Sequence, residues 1–281
     1  KFVKDLGSVA LGITIIPRNV MGKGFIAPSD RFNIGVIGLG AQSGGLIERM
    51  SKISDARIIA GCDVHQKRLN RFRKLIDTQY KKYKIKGAAK IYEDFDKLIE
   101  NSNIDGIVVS TPDHWHAIPS INAMKAGKHV YCEKPMSHTI QEGRIMEKIA
   151  REYNCILQTG SMQRSRADFR KACELVRNGY IGKIEKVWIE VGNPSAACNL
   201  PFQETPDYLN WDRWLGPAPL RSYHDIIVEK GWFPNWRWYR EYGGGILSDW
   251  GAHMFDIVQW ALDKDHTGPV KYEAPMEPTA S

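Results

Sequence analysis

The sequence lacks the features that cross-link or anchor many other chains. Its five cysteines are scattered and no two stand at C-x-x-C spacing, which excludes a thiolate zinc site of the usual spacing and gives no disulfide framework. The longest apolar stretch, residues 6–16, is far shorter than the roughly 20 residues that cross a bilayer, so no membrane span is predicted. Intrinsic disorder is excluded by composition, since 43% of the 281 residues are hydrophobic and 25% are charged. A chain of this length is expected to form about two domains.

The net charge is +7, and much of the excess lies in residues 67–86. A basic run of this kind can mark a nucleic-acid footprint. Here Leu69, Phe72, Leu75 and Ile76 fall among the charges at helical spacing, which favours an amphipathic helix with a solvated basic face. No nucleic-acid partner is therefore expected.

Residues 1–30 do not resemble a domain core. Two lysines, a short apolar region and a stretch between Pro17 and Pro28 resemble an export leader of the twin-arginine type, without the arginine pair itself. We expect a leader remnant and a periplasmic or cell-envelope protein. The alternative is an arm that packs on a neighbouring subunit, in a cytoplasmic protein.

Residues 31–159 alternate between two kinds of segment. Apolar, β-branched runs at 32–37, 57–62, 104–109, 129–132 and 155–157 predict buried strands, with helices predicted between them at 45–53, 66–80, 117–126 and 139–153. This alternation predicts an α/β domain with a parallel sheet and helices on both faces.

Residues 160–281 no longer show this regular alternation of predicted strands and helices. A helix is predicted at 167–177, and alternation over 184–191 predicts a strand with one buried face. A segment rich in Pro and Trp then leads to a final helix at 249–262. We expect an α+β domain with an open-faced, mainly antiparallel sheet, and an incomplete one because so few strands are predicted.

A glycine turn follows the first predicted strand and opens a helix. It runs Gly38-Leu39-Gly40-Ala41-Gln42-Ser43-Gly44, with Ser43 at the third glycine of the dinucleotide fingerprint G-x-G-x-x-G. Such a turn lets backbone N–H groups approach a pyrophosphate at the positive end of the helix. Gly38, Gly40, Ala41, Gln42 and Ser43 are thus candidate cofactor contacts.

Asp63 ends the second predicted strand, where an acid binds the adenosine ribose hydroxyls and repels a 2′-phosphate. It therefore favours NAD over NADP. Arg68 favours NADP instead, because a nearby arginine accepts a 2′-phosphate. The alternative role for Asp63 is a cap for the helix that follows.

Two further segments follow the carboxyl ends of predicted parallel strands, where ligands bind in such sheets. The first, residues 110–116, reads Ser-Thr-Pro-Asp-His-Trp-His, and its two histidines raise the alternative of a metal site, which we do not expect because no third anchor is evident. The second is Glu133-Lys134-Pro135, whose lysine would reach a substrate hydroxyl. Read alone, it is as often a surface turn.

The predicted final helix places Asp249, His253 and Asp256 along one stripe beside its apolar face. A histidine held by carboxylates on a mostly buried helix suits a general base near neutral pH. A hydrogen-bonded structural histidine is the alternative.

Taken together, these motifs resemble the glucose–fructose oxidoreductase/inositol dehydrogenase (Gfo/Idh/MocA) family. The glycine turn, Thr111-Pro112, Glu133-Lys134-Pro135 and Gly243-Gly244-Gly245 followed by Asp249-x-Gly251-x-His253 occur in that family's order and approximate spacing. The resemblance implies an NAD(P)-binding Rossmann domain followed by an α+β domain that forms homodimers or homotetramers. It implies that Lys134, Asp249 and His253 are the catalytic group.

The resemblance also implies the cofactor contacts of the later segments, which are Glu133, Lys134, Ser110, Thr111, Pro112, His116 and, on the nicotinamide side, Gln163. Substrate contacts are expected from Lys134, Trp236 and Asp256. Trp236 lies with Trp232 and Trp238 in an aromatic segment that would stack on sugar C–H faces or else pack the second domain.

We expect an NAD-dependent oxidoreductase acting on a secondary alcohol of a sugar, polyol or glycoside. His253 would take the hydroxyl proton, Asp249 would orient the imidazole, and Lys134 would polarise the oxygen. One alternative is a glycoside hydrolase that oxidises its substrate transiently, eliminates the aglycone and returns the hydride. Another alternative is a non-catalytic NAD-binding sensor. The presence of the complete catalytic group argues against it.

Overall fold

The computed structural model describes residues 30–229 and 235–273. The predicted leader or arm, apart from Asp30, and Trp232 of the aromatic segment lie outside the described residues. Within them, no helix combines the length and the apolar character that a membrane span requires.

A six-stranded, wholly parallel sheet forms the first part of the described chain. Its strands are β1 (Phe32–Ile37), β2 (Ala56–Cys62), β3 (Lys90–Tyr92), β4 (Gly106–Val109), β5 (His129–Cys132) and β6 (Leu157–Thr159). Their spatial order, β3-β2-β1-β4-β5-β6, reverses direction between β1 and β4, the switch point where ligands bind in doubly wound folds. The predicted parallel α/β sheet is confirmed; β3 was not predicted, and β6 begins two residues later than expected.

Helices connect these strands and cover the sheet. They are α1 (Ala41–Met50), α2 (Gln66–Lys82), α3 (Phe95–Ile99), α4 (Ala117–Lys125) and α5 (Ile140–Glu152). One core cluster on the sheet packs around Leu69, Phe72 and Ile76 of α2, and another packs around Met124 and Met146 of α4 and α5. The basic residues of α2 thus lie opposite a fully buried stripe, as the amphipathic-helix interpretation predicted.

After Thr159 the described chain continues as helices and loops. The helices are α6 (Ala167–Arg177), α7 (Trp211–Leu215), α8 (Asp225–Val228), α9 (Gly245–Asp249) and α10 (Gly251–Ala261). An aromatic cluster containing Trp211, Trp214, Trp236 and Tyr242 forms the core of this part.

The predicted strand over residues 184–191 is wrong. No strand follows β6 in the part of the chain that the structure describes, and the side chains of Val187 and Trp188 are 44% and 84% exposed. Alternation alone does not make a strand, because the backbone needs a neighbouring strand with which to exchange hydrogen bonds.

The final helix is also interrupted. Trp250 stands between α9 and α10, so Asp249 ends one helix while His253 and Asp256 belong to the next. The buried side chains of α10 are confined to Gly251 and His253 among the described residues, which makes this helix less buried than its apolar sequence predicted.

Candidate active site

A cleft of about 740 Å³ runs along the carboxyl ends of the strands and is closed on its far side by residues of the second part. It brings together most of the residues predicted to bind cofactor or substrate, namely Gly38, Gly40, Ala41, Gln42, Asp63, Arg68, Ser110, Thr111, Pro112, His116, Glu133, Lys134, Gln163, Trp236, Asp249 and His253. Ser43 and Asp256 do not line it.

The glycine turn joins β1 to α1 at the switch point. Gly38 has φ +85°, and a Cβ there would lie 2.6 Å from the backbone nitrogen of Thr111, so only glycine fits. Gly40 is the N-cap of α1, and a Cβ on it would meet no protein atom within 4 Å. Packing within the protein therefore does not require glycine at position 40. Close approach of a pyrophosphate to the helix N-terminus does, and in this respect the residues fit NAD.

Ser43, at the third glycine position of the fingerprint, supports the turn from behind. Its side chain is buried and its Oγ donates a hydrogen bond of 2.8 Å to the carbonyl oxygen of Gly40. Its side chain therefore supports the turn, and the predicted cofactor contact of Ser43 stays a prediction. Arg71 of α2, not predicted as a site residue, donates to the same carbonyl at 2.8 Å.

Asp63 lines the cleft at the end of β2, and its carboxylate organises the backbone on both sides. Oδ2 accepts a hydrogen bond of 2.7 Å from the N–H of Leu39, and Oδ1 accepts one of 3.0 Å from the N–H of His65. The N-cap residue of α2 is His65 rather than Asp63, so the helix-cap alternative is wrong. Arg68 also lines the cleft, where its Nη2 donates to the carbonyl oxygen of Val228 at 3.0 Å.

The segment after β4 is held by hydrogen bonds to backbone carbonyls. Ser110 Oγ donates to Gly38, and the two ring nitrogens of His116 lie 3.0 Å from the Thr111 carbonyl and 2.7 Å from the Pro135 carbonyl. Burial lowers the pKa of His116 to about 4, so the ring is neutral near pH 7. A neutral imidazole has one N–H and donates to one of these two carbonyls, and its contact with Pro135 joins the segment after β4 to the segment after β5.

The two histidines of this segment do not form a metal site. His114 places its Nε2 3.1 Å from the carbonyl oxygen of Trp214, and burial lowers its pKa to about 4. Across residues 30–229 and 235–273, no group of three His, Cys, Asp or Glu side chains is arranged to hold a metal ion.

Glu133 links the glycine turn to the loop after β5. Its Oε1 accepts a hydrogen bond of 3.0 Å from Gln42 Nε2, and its Oε2 accepts one of 3.3 Å from the N–H of Lys134. Burial raises the pKa of this carboxyl, although these hydrogen bonds oppose the rise. The pair therefore fixes α1 against the lysine-bearing loop.

Lys134 and Asp249 form a nearly buried ion pair across the cleft. Lys134 Nζ lies 2.6 Å from Asp249 Oδ1 and donates a second bond of 3.0 Å to the Asp249 carbonyl oxygen. Arg237 Nε lies 3.4 Å from the same Oδ1. Asp249 was predicted to orient His253, but the side chains that contact its carboxylate in the described chain are those of Lys134 and Arg237. The carboxylate therefore positions the lysine rather than the imidazole.

His253 lines the cleft with a largely buried ring. Its Nδ1 has no hydrogen-bond partner among the described residues. Burial lowers the pKa of the imidazole, the charge of Lys134 lowers it further, and the charges of Asp249 and Asp256 oppose them. A neutral ring that faces a cleft meets the requirement for a general base.

Asp256 was predicted to contact substrate, but the structure places it outside the lining of the cleft. Its carboxylate makes a two-pronged ion pair with Arg164, at 2.7 and 2.8 Å, outside the lining of the cleft. Arg164 also bonds Asp265, so the three residues fasten α10 to the loop before α6.

Trp236 and Gln163 both border the cleft, with different surroundings. Trp236 is only 6% exposed, packs in the aromatic cluster, and has the Arg237 guanidinium 4.2 Å above its ring. The packing role therefore dominates at this residue. Gln163 lines the cleft, and its buried Oε1 has no partner in the described part of the chain.

Several cleft residues were not predicted as site residues, among them Arg237, Trp250 and Asp113. Arg237 directly follows Trp236, a predicted substrate contact, and Trp250 directly follows Asp249. Asp113 lies within the segment 110–116, and burial and the charge of Asp249 raise the pKa of its carboxyl. The signal that could have found Arg237 and Trp250 is their position within or beside motifs already recognised.

The strand order, the glycine turn and the acid at the end of β2 define a dinucleotide-binding protein of the Rossmann class. The chain belongs to the Gfo/Idh/MocA family. The family model described as "Oxidoreductase family, NAD-binding Rossmann fold" matches residues 32–161, and that described as "Oxidoreductase family, C-terminal alpha/beta domain" matches residues 161–280. The family resemblance, the fold class and the NAD-binding character of the first domain are thereby confirmed.

Individual relatives agree with this assignment. The chain is 34% identical over 232 residues to a myo-inositol 2-dehydrogenase of Thermotoga maritima, covering 83% of this chain and 55% of the relative. It is 26% identical to a 1,5-anhydro-D-fructose reductase of Ensifer adhaerens, over 64% of this chain and 44% of that protein. It is 30% identical to a glycosyl hydrolase family 109 protein of Shewanella baltica, over 65% and 43%. The chain thus spans about half the length of the curated relatives it matches.

A solved structure supports the same fold. The crystal structure of a probable dehydrogenase from Thermotoga maritima matches with a TM-score of 0.54 at 26% identity, over 83% of this chain and 55% of that one.

Proposed function

We propose that the protein is an NAD-dependent oxidoreductase that transfers hydride between nicotinamide and a secondary alcohol of a sugar, polyol or glycoside. The observation that carries the proposal is the convergence of Lys134, Asp249 and His253 on the cleft that the glycine turn and Asp63 also line. Dinucleotide-binding and proton-transfer groups therefore share one enclosed space.

His253 is the proposed general base. A base must be unprotonated at the working pH, and the low pKa of this buried imidazole keeps it so. The ring accepts the hydroxyl proton of the substrate as the alcohol is oxidised, and it returns that proton in the reverse direction.

Lys134 is the proposed electrophilic group. Its ammonium has three N–H donors, of which two are directed at the carboxylate and the carbonyl of Asp249. The third remains for the substrate oxygen, where a fixed positive charge stabilises the alkoxide that develops. Asp249 holds the ammonium in this position.

NAD supplies the hydride acceptor when bound. Gly38, Gly40 and Ala41 would hold its pyrophosphate at the N-terminus of α1, and Asp63 would bind the adenosine ribose. We also propose that Asp63 sets a preference for NAD over NADP. Titration of each cofactor into the protein tests it, and equal or tighter binding of NADP would instead point to Arg68.

The names of two relatives support a sugar or polyol substrate, since one is a myo-inositol dehydrogenase and the other an anhydrofructose reductase. Several other relatives are named glycosyl hydrolase family 109 proteins, which supports a second candidate function, redox-neutral cleavage of a glycoside. The two functions differ in their use of cofactor.

A single assay separates the candidates. The protein is supplied with NAD and with a panel containing myo-inositol, methyl β-D-glucopyranoside, 4-nitrophenyl β-D-glucopyranoside and D-glucitol. Accumulation of NADH at 340 nm supports the dehydrogenase. Release of nitrophenol without net NADH supports the hydrolase. NAD binding with neither product, across sugars beyond this panel as well, would favour a non-catalytic sensor.

Two predictions about the whole protein stay proposals. We propose a homodimer or homotetramer, to be tested by light scattering, and export to the periplasm or cell envelope, to be tested by cell fractionation of the full-length protein.

A further inference from the structure

Four tryptophans line the cleft, namely Trp115, Trp214, Trp236 and Trp250. Trp236 and Trp250 are the two that adjoin Arg237 and Asp249 in the chain, and they differ in accessibility. Trp236 is 6% exposed and one face of its ring is covered by the Arg237 guanidinium. Trp250 also lines the cleft, but it is 42% exposed. Of these two, Trp250 is therefore the tryptophan with accessible surface, although sequence analysis singled out Trp236.

Trp250 stands directly beside the reacting groups. It follows Asp249 in the chain, and its ring centroid lies 5.9 Å from that of His253 at an interplanar angle of 65°, so the two rings do not stack face to face. Its backbone position is fixed, because its N–H donates to the Ile246 carbonyl at 3.0 Å and its own carbonyl accepts from His253 and Met254. The junction of α9 and α10 thus presents an indole next to the proposed base.

Sugars in ring form have two chemically distinct surfaces. Hydroxyl groups project around the edge, while one face carries C–H groups and is apolar enough to gain from leaving water. Ligand sites pair such apolar surface with aromatic walls and use a few polar groups to fix orientation. Lys134 and His253 are polar groups of this kind, and Trp250 is the adjacent aromatic wall.

We propose that Trp250 forms the platform of the substrate site and packs against the C–H face of a ring-closed sugar or cyclic polyol. The platform sets the ring so that one secondary hydroxyl meets Lys134 and His253. It makes the site selective for ring-closed over open-chain polyols, because an open chain presents no continuous C–H face. The inference rests on the proposed function and specifies its substrate class.

Binding and turnover are measured on the NAD-loaded protein with named probes. The ring-closed probes are myo-inositol and methyl β-D-glucopyranoside, and the open-chain probe is D-glucitol. Saturation-transfer NMR reports which C–H protons contact the protein whether or not the probe is oxidised, and NADH formation gives kcat and KM. The variants are Trp250→Leu and Trp250→Phe, with Trp188→Leu as the matched control, since Trp188 is 84% exposed and outside the cleft.

Trp250→Leu should weaken binding of ring-closed probes by about tenfold and remove saturation transfer to the protons of one ring face. Trp250→Phe should retain most of both, and Trp188→Leu should change neither. Affinity for NAD and the circular dichroism spectrum should stay as in wild type, which shows that the variant is folded.

Unchanged ring binding in Trp250→Leu would overturn the platform. A kcat reduced equally for ring-closed and open-chain probes, with binding intact, would also overturn it and would assign Trp250 to holding His253. Either result leaves the proposed oxidoreductase standing. If the wild type binds ring-closed probes through Trp250 but neither oxidises nor cleaves them, the platform stands and the proposed reaction fails. Failure of the wild type to bind any ring-closed probe overturns the platform.

Discussion

Lys134 and Asp249 meet at 2.6 Å although 114 residues of sequence separate them. The lysine follows β5 of the sheet and the aspartate ends α9 of the second part. Their ion pair therefore joins the cofactor-binding part of the chain to the part that carries the proposed base. The proposed catalytic geometry and the packing of the two parts depend on the same contact.

Breaking this pair should cost both stability and turnover. Lys134→Met leaves a carboxylate that is 3% exposed without its closest cation, so we expect the free energy of unfolding to fall by about 3 kcal/mol. In denaturant unfolding, the double variant Lys134→Met/Asp249→Asn should lose less than the sum of the single variants, because the two act as a unit. The control is Lys97→Met, which removes an exposed pair with Glu100 and should be neutral. Additive losses would show that the contact is not a functional unit.

The rate of oxidation should decline on the acid side only at a pH below the ordinary pKa of histidine. The pKa of His253 is below its ordinary 6.5, and a protonated imidazole cannot accept a proton. The kcat/KM for oxidation should therefore fall only as the pH drops below 6.5. In NMR titrations of His253, Lys134→Met should raise this pKa by removing a positive charge, and Asp249→Asn should lower it by removing a negative one. Shifts in the opposite directions would contradict the described charge arrangement.

Three glycines of the turn should respond differently to alanine. Gly40→Ala meets no protein atom, so the variant should fold normally, but its Cβ obstructs the pyrophosphate and should weaken NAD binding by about tenfold or more. Gly38→Ala should lower the free energy of unfolding by about 2 kcal/mol or more, because of its positive φ and backbone clash. Gly44 lies within α1 and outside the cleft, so Gly44→Ala should leave NAD affinity unchanged. Calorimetry and chemical denaturation separate the three, and normal NAD affinity in Gly40→Ala would remove the cofactor from this turn.

Acid should destabilise the fold through its buried histidines. His114 has a pKa of about 4 in the folded protein against about 6.5 when unfolded. Above pH 6.5 both states are neutral and contribute nothing; between 6.5 and 4 only the unfolded state gains the proton, so the free energy of unfolding falls as the pH falls. The loss should approach about 3 kcal/mol at pH 4.

His114→Gln keeps a donor for the Trp214 carbonyl and removes the titration. Its free energy of unfolding should depend less steeply on pH over this range than that of the wild type. Comparison of the two isolates the histidine from Asp113 and Glu133, whose raised pKa values act in the opposite direction. Parallel pH profiles would contradict this account, because they would mean that the pKa of His114 is the same in the folded and unfolded states.

The sequence predicted those features of the fold that depend only on residues adjacent in the chain. The strand at 32–37 was predictable, because burial on both faces of the sheet gives a continuous apolar run. The turn after it was predictable, because its backbone conformation requires glycine at fixed neighbouring positions. By contrast, helical periodicity paired Asp249 with His253, whereas the observed partner, Lys134, comes from a distant strand end. The pairing of Asp256 was missed for the same reason, since Arg164 approaches from another element.

The other incorrect predictions have the same physical cause. The alternation over 184–191 describes a strand's two faces but says nothing about a partner strand, and none lies beside it in the described chain. Trp250 is exposed and Trp236 is buried because of the way α9, α10 and the aromatic cluster pack together. The spacing of residues along the sequence does not determine this packing.

The most direct test of the account is the turnover of His253→Ala on the best substrate of the panel, normalised to folded protein and measured beside NAD affinity. Loss of a positioned base should lower kcat by about 10²–10⁴-fold. NAD affinity should change little, because the variant leaves the proposed cofactor contacts in the glycine turn and at Asp63 unchanged. Asp256→Asn, whose carboxylate pairs with Arg164 outside the cleft, should have the milder effect. Wild-type turnover per folded molecule in His253→Ala would contradict the assignment and make this histidine structural.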